Sequence, residues 1–291
     1  MIAVTTWVDG RTLLADATAR LTAALVPTPA VDAELLLGHV LGLRRGELQA
    51  RLITGLQVEE SVIAAIDRMI ERRAAREPLQ HITGVAPFRS LELAVGPGVF
   101  VPRPETEGVA QIAIDALRAV VDPSPIAVDL GTGSGAIALS LAHEVPHARV
   151  IGVENAVEAF IWARGNRDRL ELENARIVFD DIARALPALN GTVSVVVSNP
   201  PYIPSAAVPR DPEVRLYDPP SALYGGEDGL DVVRQLAHTA RRLLRAGGVL
   251  VIEHGELQGA EIRELLTADG WRGATTQRDL TGRDRATVAV R

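Results

Sequence analysis

Apolar residues recur at helical spacing through the N-terminal part of the chain. Leu13, Leu14, Ala17 and Leu21 share one face, and the pattern stops near Pro27 and Pro29. Ala33 to Leu41 predicts a second helix, with Asp32 and Glu34 suited to its first turn. Leu43 to Leu52 predicts a short third. Glu59 to Arg76 predicts a fourth, carrying Val62, Ile63, Ile66, Met69 and Ile70 on one side. No strand pattern and no glycine-rich loop is expected in this region. Pro78 to Pro104 has a different texture: Phe88 to Leu93 and Val99 to Val101 predict a hairpin turning across Gly96-Pro97-Gly98. Helical periodicity resumes from Glu107 to Val120 and is broken by Asp122-Pro123-Ser124-Pro125.

Strands and helices then alternate. Strands are expected at Ile126 to Leu130, Val150 to Glu154, Arg176 to Phe179, Val193 to Ser198 and Gly248 to Glu253. Helices are expected at Ser134 to His143, Val157 to Arg169, Leu230 to Leu244 and Glu261 to Ala268. Such alternation predicts an α/β fold with a mainly parallel sheet covered by helices on both faces. Two last strands, around Ala274 to Gln277 and Ala286 to Val290, have too short a connection for a parallel crossover and predict an antiparallel edge hairpin. The pattern divides the chain into a helical region (1–77), a connector with a hairpin (78–106) and an α/β region (107–291).

Composition narrows this little. The formal net charge of −7 argues against a nucleic-acid-coating surface, though not against a local basic groove. With no cysteine there is no disulfide framework, thiolate zinc site or cysteine nucleophile, which fits a cytoplasmic protein. No stretch is long and apolar enough to span a bilayer, and the N-terminus lacks the basic and apolar segments of a secretion signal. Arg68, Arg72, Arg73 and Arg76 cluster late in the fourth helix, as a solvated face or as a contact surface for a large partner.

Chemistry concentrates at strand ends. Asn199-Pro200-Pro201-Tyr202 follows an apolar strand directly. The prolines make a stiff corner without N–H groups, so the local carbonyls and the Asn199 amide oxygen can face a substrate, and Tyr202 can lie against something planar. Gly131-Thr132-Gly133-Ser134-Gly135 joins the first strand of the α/β region to its helix, where free N–H groups can meet an anionic part of a ligand. Glu154 ends the next strand, where a carboxylate accepts from a ribose diol. Asp129 could cap the glycine turn or hold the amino group of an amino-acid-like ligand. Asp181 could accept from an adenine amino group while Ile182 packs on the ring. The glycine pattern also admits NAD.

Together these motifs look like a seven-stranded S-adenosylmethionine-dependent methyltransferase of Rossmann-like type. Pro78 to Gly84, Val101 to Glu107, Ala222 to Leu230 and Glu253-His254-Gly255 narrow the likeness. With them the chain resembles, over nearly its whole length, the protein-(glutamine-N5) methyltransferases of the PrmC/HemK family, which modify class I peptide-chain release factors. The resemblance implies a small all-helical N-terminal domain for substrate recognition and S-adenosyl-L-methionine as cofactor, with S-adenosyl-L-homocysteine as product. It places Asp129, Gly131 to Gly135, Glu154, Asp181, Ile182 and Asn199 at the cofactor. It places Asn199, Pro200, Pro201 and Tyr202 at the substrate amide, with Arg103 and Glu105 nearby. Asn199, Pro200 and Tyr202 would act in catalysis, without a metal. Two positions depart from the family: relatives usually carry Asp where Glu154 stands and often an aromatic at Ile182. His254 reads either as a base or as a packed histidine. The rival readings are a DNA or RNA exocyclic-amino methyltransferase, an NAD-dependent oxidoreductase and a non-enzymatic binder.

Overall fold

The computed structural model of the protein describes residues 6–291. It forms two compact units. One runs to Gly84 and also contains Pro209–Tyr217; the other contains Val85–Val208 and Asp218–Arg291.

In the first unit a short strand, Trp7–Asp9 (β1), leads into Gly10–Ala23 (α1), Pro29–Leu41 (α2) and Arg45–Ile53 (α3). Strand Gln57–Glu59 (β2) pairs antiparallel with β1 and enters Glu60–Ala74 (α4); Leu79–Thr83 (α5) follows. The two-strand ladder was not expected from the pattern, because three residues a side carry no readable alternation. Pro29 opens α2 and Gly42, at φ 65°, closes it. Leu21, Leu36, Leu37, Leu48 and Ile70 are fully buried at the centre of this unit.

The second unit begins with a hairpin, Val85–Phe88 (β3) against Leu91–Ala94 (β4). Its turn is Arg89-Ser90, not Gly96-Pro97-Gly98, and Val99 to Val101 forms no strand. Arg89 stands at φ 52°, a conformation that costs a non-glycine residue about 1–2 kcal/mol. Its side chain offsets this by bonding Glu144, Gln111 and the Glu107 carbonyl. Pro104–Arg118 (α6) leads to Ile126–Leu130 (β5), Ala136–Glu144 (α7), Arg149–Glu154 (β6), Val157–Arg169 (α8), Ala175–Phe179 (β7) and Val193–Ser198 (β8). The chain then leaves for the first unit, where Pro212–Tyr217 (α9) lies, and returns at Asp218. Asp231–Leu243 (α10), Leu244–Glu253 (β9), Gly259–Ala268 (α11), Arg272–Arg278 (β10) and Asp284–Val290 (β11) complete it.

The main sheet has seven strands in the order β10-β11-β9-β8-β5-β6-β7. Strands β9 to β7 are mutually parallel, and β11 and β10 run antiparallel at one end. Both faces are covered, so adjacent residues of one strand enter different cores. Val195 and Val197 pack on the side of α6 and α7, and Val196 on the side of α10 and α11. That two-sided burial is why β8 reads as an unbroken apolar run. Strand order reverses between β5 and β8, and the crevice beyond the carboxyl ends of such strands is where open α/β sheets take ligands. Among the described residues no helix is long and apolar enough to cross a membrane.

The arginine cluster at the end of α4 and just beyond it divides: Arg68 and Arg72 are exposed, whereas Arg73 and Arg76 are taken up by carboxylates. Arg73 is buried, its Nε 2.7 Å from Asp32 Oδ2 and its Nη2 2.8 Å from Glu213 Oε1. Arg76 grips both oxygens of Glu213, at 2.7 and 2.6 Å, and Arg72 pairs with Glu77. Burial alone would raise the Glu213 carboxyl; the bonds from Arg76 and Arg73 outweigh it and hold the group below its ordinary range. Tyr217 donates to the Ala75 carbonyl, so α9 is held at both ends.

Candidate active site

Two loops meet at the switch point. Ser198, the last residue of β8, donates from its buried hydroxyl to the carbonyl of Leu130, the last residue of β5, at 2.5 Å. This ties the starts of the Asn199 loop and the glycine loop together.

The glycine loop is held from below. Gly131, Gly133 and Gly135 all take positive φ, between 57° and 88°, which only glycine adopts without strain. Asp129 Oδ2 accepts from the Thr132 hydroxyl at 2.6 Å and from the Ala138 N–H at 3.1 Å, so Asp129 does cap the turn. Its Oδ1 is buried with no partner. Burial pushes the carboxyl up to about 7, against the two hydrogen bonds that pull it down. Asn166, fully buried, donates to the Ser134 and Ala94 carbonyls and accepts from the Ala94 N–H.

Glu154 sits at the end of β6 as expected. Its longer arm folds back on the loop: Oε2 accepts from Gly133 N–H at 2.8 Å, and Oε1 from the N–H groups of Asn155 and Ala156, both at 2.9 Å. With about two lone-pair positions per oxygen, one acceptor position of Oε2 stays available for a diol. Asp181 follows β7, and its Oδ1 accepts from Ala183 N–H. Ile182 is buried, and a Cβ on Gly131 would come 3.8 Å from its Cδ1, so it borders the glycine loop. A Cβ on Gly133 would meet nothing within 4 Å. An open loop face, an orphaned carboxylate oxygen and an acid at the second strand end fit an adenosyl amino acid.

The Asn199 loop is clamped by the glycine motif further on. Ile203 exchanges backbone hydrogen bonds with Leu223 and Gly225, and Ser205 N–H donates to the Gly226 carbonyl. A Cβ on Gly225 would lie 2.5 Å from the Pro201 carbonyl oxygen, and one on Gly229 2.3 Å from that of Tyr202. Only glycine allows this approach, which accounts for the motif. Gln258 adds a bond from its Nε2 to the Tyr202 carbonyl at 3.0 Å. Pro200 is buried, while Asn199, Pro201 and Tyr202 are half-buried. Burial pushes the Tyr202 phenol up to about 12, so it stays neutral.

The connector residues are more committed than expected. Arg103 donates to buried Asp218 at 2.6 Å and lies 4.9 Å over the Phe100 ring. Glu105 is half-buried in the first turn of α6. His254 is not placed as a base. It is fully buried, with Nδ1 2.9 Å from the Gly255 carbonyl and Nε2 2.9 Å from Thr287 Oγ1. A carbonyl only accepts, so Nδ1 carries the proton and Nε2 accepts from Thr287; burial lowers the ring's affinity for a second proton. Two further polar residues, neither singled out by role in the pattern, are buried at the starts or ends of neighbouring elements. Thr106 accepts from Asn199 Nδ2 at 3.4 Å, and Glu253 is buried at the end of β9, where burial pushes its carboxyl up to about 7 and Thr106 pulls it down. A surface hollow lined by Arg89, Glu107, His143 and Glu144 is separate from these loops, and Arg89 and Glu144 already pair across it.

Sheet order, switch point and the two loops define a Rossmann-like methyltransferase. Residues 123–281 match the family model of a methyltransferase domain, and residues 12–84 that of the PrmC N-terminal domain. The chain is 49 % identical over 280 residues to the release factor glutamine methyltransferase of Streptomyces coelicolor, covering 95 % of this chain and 96 % of that one. It therefore belongs to the release factor glutamine methyltransferase family. It is also 40 % identical to a 4-amino-L-phenylalanine/4-methylamino-L-phenylalanine methyltransferase of Streptomyces pristinaespiralis, over 96 % of this chain and 94 % of that one. A methyltransferase structure from Pyrococcus furiosus shares the fold, with TM-score 0.51 and 20 % identity over 69 % of this chain and 89 % of that one.

Proposed function

We infer that the protein transfers a methyl group from S-adenosyl-L-methionine to the side-chain amide nitrogen of the glutamine in the Gly-Gly-Gln motif of class I release factors. The observation that supports this reading is the Ser198–Leu130 tie, which joins the start of the Asn199 loop to the start of the glycine loop.

The cofactor supplies an electrophilic methyl on a sulfonium. Asp129 Oδ1 would receive its ammonium group, Glu154 its ribose and Asp181 its adenine amino group, with Ile182 against the ring. On the acceptor side the chemistry is that of a poor nucleophile, because the glutamine nitrogen's lone pair is delocalised into its carbonyl. The protein must orient that nitrogen and stabilise the positive charge that develops on it. Asn199 Oδ1 and the Pro200 carbonyl would accept its two hydrogens, and Tyr202 would pack on the planar amide. No strong base is required, since the proton leaves after transfer. The helical region would recognise the protein substrate.

The relative named for 4-amino-L-phenylalanine gives a specific alternative, a free aromatic amine as acceptor. Mass spectrometry separates the two. Incubation with S-adenosylmethionine should add one methyl to the glutamine of the release factor and none to 4-amino-L-phenylalanine. Asn199→Ala should cut turnover at least about a hundredfold, the scale of losing one transition-state acceptor, and affect cofactor affinity less. A variant with near-wild-type turnover would sink the assignment.

A further inference from the structure

A glutamine carboxamide has a donor end and an acceptor end. Backbone partners settle which way it lies, because an N–H only donates and a C=O only accepts. Gln258, half-buried just ahead of α11, is settled in this way at both ends. Its Oε1 accepts from the Gly255 N–H at 3.0 Å, and its Nε2 donates to the Tyr202 carbonyl at 3.0 Å. The Gln258 N–H donates in turn to the Gly255 carbonyl, so side chain and backbone together brace the turn that follows β9. A glycine leaves room for the amide: a Cβ on Gly229 would lie 2.9 Å from Gln258 Nε2.

The bond to Tyr202 completes the hold on one peptide. Its other polar end, the Ile203 N–H, donates to the Leu223 carbonyl at 2.9 Å. With the carbonyl on Gln258 and the N–H on Leu223, the peptide plane after Tyr202 is fixed. The Tyr202 Cα lies in that plane, and Pro201 before it has its φ locked by its ring. The direction in which the Tyr202 side chain leaves the backbone is thereby set. A Cβ on Gly255 would meet Gln258 Oε1 at 3.0 Å and Tyr202 Cδ2 at 3.7 Å, so amide and phenol ring are lodged against the same glycine.

We propose that Gln258 is a positioning residue that sets the Tyr202 ring against the methyl acceptor. This rests on the reading of Tyr202 as the residue that packs on the acceptor amide. Gln258 acts through the Tyr202 carbonyl and is asked to touch neither acceptor nor cofactor, so its loss should register on the acceptor side alone.

The test is steady-state methylation of a release factor at about pH 8, with binding of S-adenosylhomocysteine measured separately. Gln258→Glu keeps the length of the side chain and the acceptor for Gly255 but, ionised at that pH, has no donor for Tyr202. It should lower kcat/KM for the release factor about tenfold or more, the scale of a carbonyl left without its donor, with cofactor Kd within about twofold. Gln258→Met loses both bonds and should lose about as much. In a Tyr202→Ala background, Gln258→Glu should cost less than about twofold further. A residue that only braced the Gly255 turn would behave differently: Gln258→Glu would keep wild-type kcat/KM and Gln258→Met would not. If Gln258→Glu does not fold, Gln258→Met takes its place in the Tyr202→Ala cycle. Wild-type kcat/KM in Gln258→Glu, an additive loss in the double variant, or a cofactor Kd that weakens as much as kcat/KM falls overturns the proposal. Full turnover in Tyr202→Ala removes the reading of Tyr202 and the proposal with it, whereas a loss there beside an unaffected Gln258→Glu overturns the proposal alone, so the two failures are distinguishable.

Discussion

If the orphaned oxygen of Asp129 receives the cofactor ammonium as proposed, cofactor binding should depend on pH. In the free protein, burial pushes this carboxyl up to about 7, so near neutrality it is only partly ionised. A cofactor ammonium at Oδ1 requires the ionised form. Below about pH 7, binding must therefore expel the proton, and affinity drops by the fraction that was protonated. At about pH 6 roughly ten-elevenths of the group is protonated and at about pH 7 half, so affinity should rise about fivefold over that unit. The cofactor's own amino group, with an ordinary pKa of about 7.7–8.0, stays mostly charged there. Calorimetric titration with S-adenosylhomocysteine, which keeps the ammonium, measures this directly. Repeating it in buffers of different ionisation enthalpy counts the protons, with about 0.9 released per ligand near pH 6. Asp129→Asn keeps an acceptor for Thr132 and Ala138 but loses the charge. It should bind about tenfold or more weakly, from the 1.5–3 kcal/mol typical of a charge-assisted bond, and with no pH slope. A wild-type affinity that is flat from pH 6 to pH 7, or proton uptake on binding, would refute the reasoning.

Two further outcomes concern buried carboxyl groups. Asp129 and Glu253, both raised to about 7 from ordinary values of 3.8 and 4.5, bind protons in the folded chain that the unfolded chain has already lost. Stability of the ligand-free protein should then fall as pH rises from about 6 to about 8, by about 1.4 kcal/mol per group. At about 2–4 °C per kcal/mol, Tm should drop about 5–10 °C; His254, lowered by burial, opposes this slightly. A Tm that rises across that window contradicts the assignment. Glu154→Ala leaves the N–H groups of Gly133, Asn155 and Ala156 without their acceptor. It should lower Tm by several degrees and weaken S-adenosylhomocysteine binding at least about tenfold, on the scale of one to two lost polar contacts; unchanged binding would remove Glu154 from the cofactor site.

Much of the architecture was legible because local pattern and global fold agree. Val193–Ser198 and Val157–Arg169 fall where the apolar run and the helical period place them. The edge hairpin followed from the short span between β10 and β11. What escaped depended on partners far along the chain. Arg89 makes a tight turn because Glu144, fifty-five residues on, holds it, whereas Gly96-Pro97-Gly98 carries the residues of a turn and joins no strands. Arg73 meets Glu213 across 140 positions, so its cluster looked solvated. Asn199 announced itself through its prolines. Thr106, ninety-three residues earlier, did not, since a threonine in a first helical turn looks ordinary.

The excursion of residues 209–217 has a bearing on how such chains can be recombined. The N-terminal helices and α9 are encoded apart yet share one charge cluster, in which Asp32, Arg73, Arg76 and Glu213 neutralise one another. A cut after Gly84 would strip Glu213 from two arginines, one of them buried, and orphaning a buried ion partner typically costs about 3–5 kcal/mol. The N-terminal segment is thus no detachable module with a single seam. A chimera that replaces these helices must replace or re-pair α9 as well, and the smallest exchangeable piece of this protein is two stretches of chain, not one.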